Sequence, residues 1–542
     1  MSPLWWQRLR RLSQILFLLL FLLLLLKNGL GLAGGGFDSS ANLFFKIDPL
    51  AALANALASR SLYQGLLWSL LILVPVLFLG RFFCGWICPM GTLNHFFGWL
   101  KSDAKRGKKR LESNRYKGWQ RTKYYLLFGG LTAAAFGSGV IGWLDPFSLL
   151  TRSLGLSILP SLNYAIEALL RPLEQSNWHG LSLLGGILHW LAGAALTSST
   201  QQHFRQGFVL GVIFLLLMAA NLKITRFWCR AICPLGALLG LCSRWSLLRL
   251  HKDEAACTKC QRCLLDCQGG DDPVPGAKWH AEECHLCLNC MAACPEKSLQ
   301  FKLLTIEPAA EVAPDLGRRK AIAAVALGAA ALPMMRASSA HAADFSEKRI
   351  RPAGSLDEDE FLSRCIRCGE CMKACPNNAL HPSLTEAGFE GLWTPVLVPR
   401  IGHCSPSCTR CSQICPTGAI WHLTEKEKGW SGGVTEGNHP VKLGTAFYDK
   451  GRCLPWAEAT ECAVCEEWCP TSPKAIYLVD TEVATPDGGT KTVKQPRVDP
   501  SRCVGCGSCE FCCPLKDKPG VAVSSIGESR SKSNQILLEH KS

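Results

Sequence analysis

The run Cys284-His285-Leu286-Cys287-Leu288-Asn289-Cys290-Met291-Ala292-Ala293-Cys294-Pro295 sets three cysteines at every third position and a fourth, followed by proline, four residues on. A C-x-x-C-x-x-C loop curls the backbone so that three thiolates face one inorganic cube. In two-cluster ferredoxins the cysteine before proline ligates the other cluster. Upstream, Cys257, Cys260, Cys263 and Cys267 repeat the pattern, with Gln268 in place of proline. Crossed ligation predicts one 4Fe–4S cluster on Cys257, Cys260, Cys263 and Cys294, and one on Cys284, Cys287, Cys290 and Cys267.

Four more groups lie downstream: Cys365, Cys368, Cys371, Cys375; Cys404, Cys408, Cys411, Cys415; Cys453, Cys462, Cys465, Cys469; and Cys503, Cys506, Cys509, Cys513. Each ends in Cys-Pro. The second and third have a widened first gap. Cys513 is preferred to Cys512 because it keeps the usual gap and the following proline. Structural zinc also takes four cysteines, but from two separated C-x-x-C pairs. Six 4Fe–4S clusters are expected, with these cysteines as iron ligands.

The remaining composition fits several domains. The chain has 542 residues and 30 cysteines, and 24 of those fall in the six groups. A disulfide scaffold is usually short and lacks such an array. The net charge of +15 raises the question of nucleic acid. However, the densest basic run, 101–123, sits between two apolar segments, and no recognition motif accompanies it. Membrane topology explains it better, and no nucleic-acid partner is expected.

Four apolar segments, approximately Leu12–Leu26, Leu62–Gly80, Tyr124–Leu144 and Gly207–Leu222, read as membrane helices. Basic residues flank them on one side: Arg8, Arg10 and Arg11, the 101–123 run, then Arg226, Arg230 and Arg244. That side is assigned to the cytoplasm. Segments 27–61 and 145–206 then face outward, the second with an interfacial or re-entrant helix near Ser182–Leu196. Gly317-Arg318-Arg319-Lys320, an Ala-rich stretch and Ala340-His341-Ala342 form either an internal twin-arginine export signal or a fifth membrane helix. Clusters inserted in the reducing cytoplasm would favour export of a folded domain.

The membrane part is internally repeated. Asp48-Pro49-Leu50 precedes a helix and Arg81-Phe82-Phe83-Cys84-Gly85-Trp86-Ile87-Cys88-Pro89-Met90-Gly91. Asp145-Pro146-Phe147 precedes a helix and Arg226-Phe227-Trp228-Cys229-Arg230-Ala231-Ile232-Cys233-Pro234-Leu235-Gly236. Cysteines four apart share a helix face. Cys84, Cys88, Cys229 and Cys233 are therefore expected to meet near the inner surface, as a redox or additional metal site or as buried structural thiols. Arg81, Arg226 and Arg230 would favour their thiolate forms. Asp48 and Asp145 are candidates to accept a substrate proton, or else cap helices.

The expected fold is thus an α-helical membrane domain of four helices in two repeated pairs, plus α+β ferredoxin-like polycluster domains. Its parts are a membrane domain (1–245), a cytoplasmic two-cluster ferredoxin (246–310), the signal or fifth helix (317–343) and a periplasmic four-cluster domain (344–542).

The doubled C-x-x-x-C-P module followed by a two-cluster ferredoxin resembles NapH, the membrane subunit of a quinol dehydrogenase. The Arg-Arg segment with four cluster groups resembles NapG and the related MauM ferredoxins. Together the resemblances cover nearly the whole chain. They imply a bacterial inner-membrane, multi-pass protein that oxidises quinol from the membrane quinone pool. Its electrons would go to a periplasmic acceptor, a cytochrome c or a reductase. By analogy with four-cluster subunits, the first and fourth downstream groups would pair, as would the second and third. The membrane module also resembles NosR and the CcoG-type polyferredoxins. That leaves a second expectation, an assembly factor that reduces a metal such as copper or reactivates a partner metalloenzyme.

Overall fold

The computed structural model describes residues 3–30, 42–100, 107–195, 202–269, 272–275, 279–303, 317–340, 348–430, 440–484, 489–531, 534 and 536. Residues 101–106 of the basic run, His341 and Ala342 of the signal-like end, and most of the glycine-rich stretches near 429–437 and 487–490 lie outside them. The chain forms two compact units. One comprises Met1–Lys27, Ser40–Leu154 and Phe208–Leu332; the other comprises Asn28–Ser39, Gly155–Gly207 and Pro333–Ser542.

In the first unit the sequence repeat becomes a structural one. Asp48 and Asp145 are N-caps, each followed by proline at the first helical position, of Pro49–Ser59 and Pro146–Ser153. Asp48 Oδ1 accepts from the Leu50 amide at 2.9 Å, and Asp145 Oδ2 from the Ser148 amide at 2.7 Å. Aspartate accepts these otherwise unpaired amides, and proline loses nothing by lacking one. The cysteine motifs also match. Cys84 lies in the short helix Phe82–Trp86 and Cys229 in Phe227–Ala231. Pro89–Leu100 and Pro234–Cys242 start directly after Cys88 and Cys233.

The four expected spans are not all long helices. Among the described residues, two helices are long and apolar enough to cross a membrane, Leu4–Lys27 and Pro146–Glu174. The segments expected at Leu62–Gly80, Tyr124–Leu144 and Gly207–Leu222 contain the shorter apolar helices Gln64–Leu79, Thr122–Ala135 and Gly207–Ala220. Gly137, with φ of +88°, and a 3-10 turn at Val140–Trp143 stop the second of these early. Pro146–Glu174 falls in a stretch expected to be an outer loop. Arg152, Glu167 and Arg171 dilute its apolar character, yet its most apolar window still reaches a mean hydropathy of 1.3.

The helix Arg318–Ala340 carries the Arg-Arg motif. Within the first unit it crosses Thr122–Ala135 at glycine. A Cβ on Gly328 would lie 2.4 Å from the Gly129 carbonyl oxygen. Small residues allow this close backbone approach, as they do between membrane helices.

The ferredoxin of the first unit is closed by its chain ends. Leu248–Lys252 pairs antiparallel with Leu299–Leu303, in register Leu248 with Leu303. The second unit repeats that closure twice. Ser355 bridges Ile420, and Thr445–Tyr448 pairs antiparallel with Val521–Ser524. Each closure encloses two cysteine groups. A hairpin, Ile476–Ala484 with Thr490–Val498, extends the last module. Helix His179–Ala195 occupies the region expected to hold an interfacial helix.

Candidate metal centres

The cluster loops owe their shape to local backbone. In four groups both neighbours of the second cysteine are left-handed: Lys259 and Gln261, Leu286 and Leu288, Arg367 and Gly369, Gly505 and Gly507. Two such residues around one cysteine wind the loop tightly enough to turn three sulfurs inward. Five of the eight are not glycine, a conformation costing roughly 1–3 kcal/mol each. The two groups with widened first gaps reach the same end by length.

In the second unit these loops line four cavities, each with four thiols. Cys365, Cys368 and Cys371 meet Cys415; Cys404, Cys408 and Cys411 meet Cys375. Cys453, Cys462 and Cys465 meet Cys513; Cys503, Cys506 and Cys509 meet Cys469. Group one therefore crosses with group two, and group three with group four. This corrects the expected pairing of first with fourth and second with third. The strand closures explain it, because each ferredoxin module encloses two consecutive groups. Cys513, not Cys512, faces its cavity. The Cys512 thiol instead donates to the Val464 carbonyl at 3.8 Å.

In the first unit Cys263 lies within electrostatic reach of Cys294 and Cys260, and Cys290 within reach of Cys287, Cys284, Cys267 and Cys263. Cys294 and Cys267 thus each reach the other group, as crossed ligation requires.

The donor sets suit 4Fe–4S clusters. Besides four thiols, the cavities offer amide donors to sulfur: Ala379 to Cys375 at 3.3 Å, Ile420 to Cys415 at 3.5 Å and Gly520 to Cys513 at 3.4 Å. Such bonds favour the electron-rich state of a cluster and tune its potential. Two side chains add to this. Lys428 Nζ donates to Cys404 Sγ at 3.4 Å, and the Tyr448 hydroxyl lies 3.1 Å from Cys465 Sγ. Burial pushes the Cys375 thiol up to about 11 and the Cys506 thiol up to about 12. Metal loading must therefore displace their protons.

The two pairs of cavities are bonded together. The Cys404 amide donates to the Cys506 carbonyl at 2.8 Å, so ligand loops of different modules share a backbone hydrogen bond. His403 fills the gap, 5.2 Å from the Phe511 ring. Residues 202–206 dock on the first module. Gln202 Nε2 donates to the Cys375 carbonyl at 3.2 Å, and Asn378 Nδ2 to the His203 carbonyl at 2.7 Å.

The structure also brings together all four cysteines of the doubled motif. Cys84, Cys88, Cys229 and Cys233 are buried, and each is within electrostatic reach of the other three. Cys88 Sγ accepts from the Gly91 amide at 3.4 Å, and Cys233 Sγ from the Gly236 amide at 3.2 Å. The arginines cross between halves: Arg226 Nη1 donates to the Cys84 carbonyl at 3.1 Å. A Cβ on Gly236 would lie 2.9 Å from Arg81 Nη2 and 3.5 Å from Cys233 Sγ. Arg226 takes a left-handed backbone, φ +53°, to do this. Arg230 does not join them. It bonds the Ser113 and Arg115 carbonyls and Gln120.

Sequence reasoning missed what faces this cluster. A Cβ on Gly85 would lie 2.1 Å from the His285 carbonyl oxygen, and Trp86 Nε1 donates to the Leu286 carbonyl at 3.0 Å. The ferredoxin loop between Cys284 and Cys287 thus rests on the helix of Cys84. Glu283 completes the joint, accepting from Lys123, from Tyr124 at 3.1 Å and from Gln120 at 3.2 Å. The one legible signal was position 85 itself: glycine here, arginine at the equivalent position 230.

Asp48 and Asp145 also meet. Both are buried, and their carboxyl groups are within hydrogen-bonding reach of each other. One oxygen of each caps a helix; Asp48 Oδ2 and Asp145 Oδ1 have no donor among the described residues. Phe147, two residues beyond Asp145, packs edge-on to Phe83 at 6.1 Å and onto Phe44 at 5.6 Å. Phe83 neighbours Cys84, so an aromatic cluster links the carboxyl pair to the thiols.

A family described as a 4Fe-4S binding domain matches residues 62–109 and again 206–252, the two halves of the repeat, and a second family of the same description matches 361–381. The methylamine utilization ferredoxin-type protein MauM of Methylorubrum extorquens is 37% identical over 171 residues, 31% of this chain and 69% of that protein. The ferredoxin-type protein NapG of Escherichia coli is 31% identical over 229 residues, 40% of this chain and 90% of NapG. The chain belongs to the MauM/NapG family of ferredoxin-type proteins. It is an iron–sulfur electron-transfer protein with 4Fe–4S domains. NapF of Escherichia coli is 30% identical over 31% of this chain and 80% of its own length. No solved structure matches.

Proposed function

We propose that this protein is an inner-membrane quinol dehydrogenase module that feeds electrons through six 4Fe–4S clusters to a periplasmic acceptor, a cytochrome c or a reductase. The observation that carries the reading is the joint at Gly85 and His285. It puts the buried thiols of the membrane half against a cluster loop of the ferredoxin. Clusters accept one electron at a time, so a relay of them suits a donor that releases two electrons and two protons.

The carboxyl pair supplies the proton side. Two buried carboxylates in contact cannot both ionise cheaply, and a single proton held between them satisfies both free oxygens. When that proton departs, the pair can accept another from the substrate hydroxyl. The aromatic residues Phe44, Phe83 and Phe147 form an apolar cluster between carboxyls and thiols, an environment suited to a quinone ring.

Anaerobic proteoliposomes carrying reduced menaquinone analogue should bleach the cluster absorbance of the wild-type protein. Asp48→Asn keeps the helix cap and can donate to Asp145, so folding should hold. Quinol-driven bleaching should slow by about 10²–10⁴-fold, the usual contribution of a positioned proton acceptor. Dithionite should still reduce the clusters. Wild-type clusters that quinol leaves oxidised would sink the reading, and an unchanged rate in the variant would remove the carboxyl pair from it.

A further inference from the structure

We propose that Cys84, Cys88, Cys229 and Cys233 together hold a seventh 4Fe–4S cluster, shared between the two halves of the repeat. This deepens the role given above to the four thiols, but its test needs no quinol.

The first support is charge. Around the four thiols the buried cations are Arg81, Lys123 and Arg226, and the buried carboxylates at the adjoining ferredoxin loop are Glu282 and Glu283. Glu283 is engaged by Lys123 and lies 3.9 Å from Arg81; Glu282 pairs with His280. Burying unpaired cations is costly, so their arrangement calls for an anion in their midst. Four protonated thiols would provide none. Four thiolates around a four-iron cube carry about two to three net negative charges, enough to answer the excess.

The second support is unspent donors. Nε and Nη2 of both Arg81 and Arg226 are buried without a hydrogen-bond partner among the described residues, as are both ring nitrogens of His285 and the Trp228 indole. Arg81 Nη2 and Cys233 Sγ both border the space beside Gly236, 2.9 and 3.5 Å from where a Cβ would stand, so one of these free donors lies on the thiol side of the site. Buried donors are ordinarily satisfied, and sulfur of a cluster is a natural acceptor. The left-handed backbone of Arg226 is the sort of strain found where a side chain must be aimed.

The third support is spacing. Among the described residues no three of His, Cys, Asp and Glu converge tightly enough to share one metal ion. That holds for this quartet and equally for the six ferredoxin quartets, whose sulfurs must stand apart to surround a cube. Each half supplies only two cysteines, so neither match to a 4Fe-4S binding domain can be complete without the other. Helices beginning at Pro89 and Pro234 direct their amide ends toward Cys88 and Cys233, whose sulfurs accept from the Gly91 and Gly236 amides.

The full chain, purified anaerobically, should then contain about 28 irons and as many acid-labile sulfides, against about 24 from six ferredoxin clusters alone. The double variant Cys88→Ala, Cys233→Ala should lose about four of each and keep the rest. A wild-type count matching six clusters would overturn the assignment even if the variant failed to fold. So would an unchanged count in a folded variant, or one copper or zinc ion per chain that disappears with these cysteines.

Discussion

Lys428 offers the most direct test of how the protein sets a cluster potential. The side chain is fully buried. Its ammonium donates to Cys404 Sγ at 3.4 Å, to the Ser405 carbonyl at 2.6 Å and to the Cys408 carbonyl at 2.8 Å, above the Trp430 ring at 4.1 Å. Reduction adds one negative charge to a cluster held by Cys404, Cys408, Cys411 and Cys375. The ammonium would stand roughly 6 Å from the centre of that charge, which at an effective dielectric of about 20 is worth about 2.8 kcal/mol. For a one-electron couple, with ~59 mV per tenfold change in equilibrium, that is about 120 mV. Lys428→Met keeps the length and removes the charge. Redox titration followed by electron paramagnetic resonance should show one cluster falling by about 120 mV while the others stay in place. Iron content should match wild type, which separates a shifted potential from a lost cluster. If every potential stays within about 20 mV of wild type in a fully loaded variant, the ammonium does not act on this cluster and the electrostatic reasoning fails.

Two further expectations follow from single contacts. Gly85→Ala would force a methyl to 2.1 Å from the His285 carbonyl oxygen. The ferredoxin loop must retreat at a cost of about 1–3 kcal/mol, and quinol-driven reduction should fall while dithionite reduction persists; an unchanged quinol rate would show the joint is not on the path. Glu358 is bonded by Arg351 and by Arg530, which brings the segment around Arg530 back onto the first module of the second unit. Burial pushes its carboxyl up, and Arg351, Arg530 and Arg349 overcome this and hold it well below the usual range. The resulting stability is present above the unfolded value of about 4.3 and is lost as pH falls through the depressed folded value. Glu358→Gln should destabilise the module by about 3–5 kcal/mol at neutral pH, because three cations lose their counter-charge. Equal urea midpoints for variant and wild type at pH 7 would contradict this.

The cysteine groups were legible because three of the four ligands of a cluster come from one loop. Spacing and left-handed turns at residues such as Leu286 and Leu288 are properties of a few consecutive residues. The pairing of Cys257, Cys260 and Cys263 with Cys294 was also legible, since only two groups lie in that stretch. Downstream, four consecutive groups allowed several pairings. Which fourth cysteine crosses over depends on where chain ends meet, at Ser355 with Ile420 and at Thr445–Tyr448 with Val521–Ser524. Those contacts join residues far apart in the chain, so no local pattern carries them. Hydropathy failed for a related reason. It averages over a window and does not register the early stop after Ala135, and the charged residues of Pro146–Glu174 hold its window to a mean hydropathy of 1.3, against 2.1 for Leu4–Lys27. The repeat announced that Cys84 and Cys229, and Asp48 and Asp145, occupy equivalent places. Only tertiary packing brought each pair together, put Arg81 and Arg226 across to the opposite halves, and seated the His285 loop on Gly85. The physical reason is that sequence specifies what each segment can bury, whereas a shared proton, a shared anion or a shared cluster needs two segments to be buried against each other.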